Sequence, residues 1–189
     1  MTVFSRCSLL CAPACTLEGT MSTPSRPRRQ RVTKTITVPG NLTIACNEFN
    51  SGLYFESHES LEEIWQEEEG DVRDLYKGII QVAAAFVHIT RENCSGARRL
   101  LTTAIGYMAP YRAYPTTLGI DVDAFCISAE RCLAEVERLC PGGLEEFDMT
   151  LVPVLRFDPA ALSRDAVQWQ AWGFSPAGET LPMEIDVIE

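Results

Sequence analysis

The chain has 189 residues, 46% of them apolar and 22% charged, and a formal net charge of −10. That length fits one domain able to bury its own core without disulfides or metal, and no apolar run approaches the ~18 residues that a membrane span requires. The charge is uneven: residues 1–47 hold six Lys/Arg and one acid, while residues 48–189 hold 10 basic and 25 acidic side chains, net −15. An acidic body repels nucleic acid and is compatible with cations, so neither nucleic acid nor membrane is an expected partner.

Residues 1–40 mix Ser, Thr, Pro and Arg without an apolar period, which predicts a disordered basic tail. Cys7, Cys11 and Cys15 recur at fours there, but in a segment with no helical pattern they are not read as a metal site. The eight cysteines form no C-x-x-C pair, and no secretory leader is evident, so the thiols read as reduced and core-filling in a cytoplasmic protein. The alternative is an organelle, with residues 1–40 as an Arg- and Ser-bearing transit peptide.

Residues 41–144 read as a helical domain. The first strong helix is predicted from about Leu53 to Glu68, after the break at Asn50-Ser51-Gly52. A second, apolar on nearly all sides (GIIQVAAAFVHI), spans about Val72 to Arg91 and belongs at the centre. Asn93 is suited to cap a third helix, Cys94 to Met108, with Gly96-Ala97 allowing close helix packing. Asp121 or Asp123 caps a fourth that reaches Leu139 before Pro141-Gly142-Gly143. Residues 145–189 form a C-terminal extension: LVPVLRF extended, a short helix over 159–172 after Asp158-Pro159, then the extended, acidic ETLPMEIDVIE. The expected fold is all-α, a bundle of about four to five helices.

The two histidines of the chain fall in the first two helices. At 100° per residue with Tyr54 at 0°, His58 falls at about 40°, Leu61 at about 340°, Glu62 at about 80° and Trp65 at about 20°. His58 and Glu62 therefore sit with the apolar face, and a buried carboxylate requires a partner or a metal. On the second helix Gln81 and His88 share a stripe with two alanines. If the first helix packs on that stripe, His58, Glu62, Gln81 and His88 converge. Two imidazoles, a carboxylate and an amide are ligand types for a divalent transition metal, and facing helices of bundles do build such sites. The spacing is not H-E-x-x-H, because Glu62 stands where the second histidine belongs. The competing reading is a hydrogen-bonded polar network that fixes helix register.

Three stretches carry a resemblance. They are F-N-x-G-x-Y-F-E-x-H-E-x-L-E-x-x-W from Phe49 to Trp65, G-I-I-Q-x-A-A-x-x-x-H from Gly78 to His88, and N-x-x-G-A-x-x-L-L from Asn93 to Leu101. Together they resemble the bacterial domain-of-unknown-function family 309 over about residues 48–110. The resemblance implies a compact all-α domain. It also implies the label of a predicted metal-dependent hydrolase, which makes His58, Glu62 and His88 metal ligands. Glu59 would then be the general base on a metal-bound water, supported by Gln81, Tyr54 and Asn93. The alternative function is a non-catalytic helical module for a small molecule or a protein, with the His/Glu cluster structural.

Overall fold

The structure is a computed structural model that describes residues 31–140, 142–158, 160–161 and 180–188. In chain order it comprises β1 (Arg31–Pro39), α1 (Gly40–Asn50), α2 (Tyr54–Glu67), α3 (Arg73–Thr90), α4 (Cys94–Met108), α5 (Val122–Leu139) and β2 (Thr180–Ile188). The body is all-α, as the sequence predicts. The four expected helices fall within a residue or two of their predicted ends.

Two features were not predicted. The first is α1, whose Leu42, Ala45, Cys46 and Phe49 repeat at helical spacing and are all buried. It ends where Gly52, at φ 80°, adopts the left-handed turn that a side chain disfavours. The second is the pairing of β1 with β2, antiparallel from Arg31↔Ile188 to Pro39↔Thr180. Residues 31–39, expected to be unstructured, thus run extended beside the C-terminal segment, whose extended form was expected. The rest of the predicted tail, with Cys7, Cys11 and Cys15, lies outside the described residues, as does most of the predicted helix over 159–172.

The helices share one aromatic centre. Phe49 of α1 meets Tyr54 of α2, Phe86 of α3 and Phe125 of α5, with ring centroids 5.4, 6.0 and 5.8 Å apart. Phe86 in turn meets Phe147 from the loop after α5 at 6.2 Å. Edge-on aromatic pairs at these separations add about 0.5–1.5 kcal/mol each to their area burial. Helix α3 packs against both α2 and α4 and is the central element. Ten of its residues are buried, from Leu75 to Ile89, and they occupy most of its circumference. Cys46, Cys126 and Cys132 are free thiols inside this core.

The chain beyond α5 returns over the bundle as an extended strap. Both hydrogen-bonding groups of Leu155 go to the Asn50 amide: Asn50 Nδ2 donates to the Leu155 carbonyl at 2.9 Å and Leu155 N–H donates to Asn50 Oδ1 at 2.8 Å. Cys132 Sγ donates to the Leu151 carbonyl at 3.1 Å, and Asp158 N–H donates to the Gly119 carbonyl at 2.8 Å. Gly119 sits at φ 73°, and a Cβ there would meet Asp158 O at 2.6 Å, so glycine is required twice over.

Candidate functional site

The buried face of α2 is Tyr54, Ser57, Leu61 and Ile64. That face is rotated from the predicted one because α2 packs between α1 and α3. Ser57, fully buried, donates its hydroxyl to the Ala45 carbonyl of α1 at 2.9 Å. With α1 taking that side, His58 and Glu62 move to the rim. His58 Nδ1 lies 3.9 Å from Glu62 Oε2, with side-chain exposures of 28% and 41%. That separation is too long for a hydrogen bond, and a half-exposed pair is worth little.

The stripe on α3 is also placed differently. Lys77, Gln81, Ala84 and His88 are its least buried line, in the outer groove between α2 and α4. Gln81 Oε1 accepts from Thr103 Oγ1 of α4 at 2.6 Å, so it turns away from His58. The predicted convergence of four residues is therefore reduced to two. His58 and His88 line one small pocket of about 140 Å³ with Phe55, Ala84, Val87 and Arg91. Glu59 is exposed and outside that pocket. Tyr54 is 9% exposed and stacks on Phe86 at 5.0 Å, a core role.

His88 is the most constrained of these groups. Asn93 caps α4: its Oδ1 accepts from Gly96 N–H at 3.0 Å and from Ser95 Oγ at 3.2 Å. This fixes the amide, so Asn93 Nδ2 faces His88 Nδ1 at 2.9 Å and donates to it. The bond requires the tautomer with the proton on Nε2. The imidazole also lies against Gly96, where a Cβ would come within 2.5 Å of Nδ1 and 2.8 Å of Cγ. His88, Asn93 and Gly96 thus form one joint between α3 and α4.

A histidine that ligates a metal offers one nitrogen lone pair and donates from the other nitrogen. Here Nδ1 accepts from Asn93, and Nε2 presents a proton. Among the described residues Glu62 approaches His58 alone, at 3.9 Å. Among the described residues no three His, Cys, Asp or Glu side chains are grouped as a metal ion requires. The residues as placed do not fit a metal ion. What the pocket does offer is an apolar wall, the Phe55 ring stacked at 6.3 Å on His58, and Arg91 with no ion pair among the described residues. Phe55, Val87 and Arg91 were not singled out from the sequence. The stripe Gln81, Ala84, His88, continued by one helical step, reaches Arg91.

Farther along the same groove, Arg73 lies 3.9 Å and Lys77 5.5 Å from the centre of the Trp65 ring, and Lys77 lies 4.8 Å from that of Tyr107. The cations thus cover Trp65 and Tyr107 rather than leaving them bare.

The similarities to known proteins fall on this part of the chain. The uncharacterized protein YpuF of Bacillus subtilis (strain 168) is 41% identical over 69 residues, which cover 36% of this chain and 40% of that protein. The chain thus spans less than half the length of that curated relative. No solved structure matches. Residues 42–100 match the family described as "Domain of unknown function (DUF309)"; they run from the start of α1 into α4 and include every residue of the histidine pocket and its joint. It is over these residues that the chain is similar to DUF309.

Proposed function

We propose that this is a non-catalytic helical binding module. Its histidine pocket receives a group with an apolar body and an acidic end, from a small molecule or a partner protein. The observation that supports this reading most is the commitment of His88 Nδ1 to Asn93. That hydrogen bond makes His88 an N–H donor at the pocket rim, beside the Arg91 guanidinium, which has no ion pair among the described residues, over an apolar wall of Phe55, Ala84 and Val87. Donors above an apolar floor suit a carboxylate on a hydrophobic ligand. The free, buried thiols accord with a reducing compartment, the cytoplasm.

The rival reading, a metal-dependent hydrolase through His58, Glu62 and His88 with Glu59 as base, needs His88 to release Asn93 and Glu62 to swing inward. Elemental analysis of the untagged protein, with and without added Zn²⁺ or Mn²⁺, separates the two. The binding-module reading expects no stoichiometric metal and an unchanged Tm. One equivalent of metal, lost in His58→Ala, would overturn it.

A further inference from the structure

The strap builds a second concave surface, distinct from the histidine pocket and outside the residues matched to the family. The strap runs antiparallel to α5, since Leu151 is tied beside Cys132 and Asp158 beside Gly119. Between the two lies a groove of about 320 Å³, floored by Phe125, Ala124 and Ser128 and walled by Val152 and Val154. Because the strap is pinned at three points, the wall is preformed.

Its backbone is only half used. In an extended chain the N–H and C=O groups of successive residues point to opposite edges. Leu155 turns both of its groups to Asn50. Val154 N–H and C=O and Arg156 N–H, on the other edge, have no hydrogen-bond partner among the described residues, and Val154 is 56% exposed. Ile120 bridges Phe157 in antiparallel fashion. The chain then enters α5 after Asp121 and abandons the strap edge where the groove begins. An open strand edge beside an apolar floor is the geometry of strand addition.

The groove also carries an unneutralised cation in an acidic body. Arg131 lines it and forms no ion pair among the described residues. Of the nearby acids, Glu130 pairs with Arg112 and Glu135 with Arg138 at 2.6 Å, while Asp148 accepts from Thr150 Oγ1 at 2.7 Å at the groove's wall and keeps its charge. At the far end Asp121 spends one oxygen on Ala124 N–H and shares the groove with Arg156. The Ser128 and Thr150 hydroxyl protons are already donated, to Ala124 O and Asp148 Oδ1. Among the described residues that line the groove, the guanidiniums are therefore the side-chain donors left to a guest.

We propose that the groove between α5 and the strap binds an extended acidic segment of a partner protein, added as a short strand along Val154 and Arg156 with a carboxylate on Arg131. The test uses the full-length protein and a fluorescein-tagged hexapeptide of alternating valine and aspartate, read by fluorescence polarisation. Saturable binding is expected, at least tenfold tighter than for the valine–lysine counterpart. Arg131→Gln should weaken it about tenfold, as should Val154→Pro, which deletes the pairing N–H. If Val154→Pro loses its helical circular dichroism, the same loss is expected from a peptide N-methylated on its pairing edge, which leaves the protein untouched. No saturable binding, or binding indifferent to both Arg131→Gln and N-methylation, overturns the proposal. Arg91→Gln separates it from the histidine-pocket reading. No change is expected there, and a loss confined to Arg91→Gln would move the peptide to the other pocket and overturn the groove. A dimer that the peptide does not dissociate, but that Val154→Pro does, would put a second copy in the groove and also overturn it.

Discussion

The α2–α3–α4 face and the α5–strap face differ in how their polar groups are spent. On the first, the amide of Gln81 and the Nδ1 of His88 are committed to neighbours, and what stays open is confined to the small histidine pocket. Asn93 and Gly96 hold His88, and Thr103 holds Gln81. On the second, a segment with no recognisable motif leaves backbone groups and two arginines open beside an apolar floor. A dense motif can record the demands of helix packing as readily as those of a ligand, while availability for binding has to be read from unspent hydrogen-bonding capacity.

The largest expected effect tests whether the strap face is as fixed as the motif face. Leu155→Ala removes a side chain 1% exposed and should cost about 2–5 kcal/mol by urea unfolding; a loss near zero would show that the strap is not part of the cooperative unit. Next, Gly96→Ala places a methyl 2.5 Å from His88 Nδ1 and should cost about 1–3 kcal/mol. Pairing it with His88→Ala should recover part of that loss, because the obstacle is then gone. Asn50→Ala strands both backbone groups of Leu155, at about 1–3 kcal/mol, and should speed amide exchange at Leu155 without touching α3 or α4. A His88→Ala/Asn93→Ala double-mutant cycle should give a smaller coupling, about 0.5–1.5 kcal/mol for one neutral hydrogen bond.

The smallest effect concerns Glu68, which is 2% exposed at the end of α2. One carboxylate oxygen accepts from Gly70 N–H at 2.7 Å and the other is buried without a hydrogen-bond partner among the described residues. Burial raises its carboxyl above the ordinary range. A raised folded value means that the folded chain holds this proton more tightly than the unfolded one. The associated stability is present below the ordinary carboxylate range and is lost as pH climbs through the raised value. Glu68→Gln keeps the acceptor for Gly70 and should raise Tm slightly at neutral pH, with the gain vanishing in acid.

Much of the bundle was legible because its signals are local. Asn93 and Asp121 cap the helices the sequence assigned to them, and the all-round apolar α3 is the central helix. Helix α1 carries the same apolar spacing but is short. Without α1 as a neighbour, the apolar pattern of α2 centres near His58; with α1 in place, Ser57 is the group buried. The pairing of β1 with β2 joins segments at opposite ends of the chain, which no local pattern announces. The site was legible to the extent that His58 and His88 share a pocket. The partner of Gln81 and the role of Asn93 toward His88 depend on how α4 crosses α3, and helical phase within one element does not encode that.

The sealed thiols give the protein a set of internal clocks. Burial pushes Cys46 and Cys132 up to about 12 and Cys126 up to about 11. At pH 8 a group near 12 is thiolate in only about one molecule in ten thousand, so an alkylating reagent waits for the fold to part. Cys46 sits on α1 and Cys132 under the strap, where its Sγ is tied to Leu151. Cys46 lies beside Leu155 and Phe157 and Cys132 beside Leu151, so their separate labelling rates time the parting of the two ends of the strap from the bundle, with no reporter added.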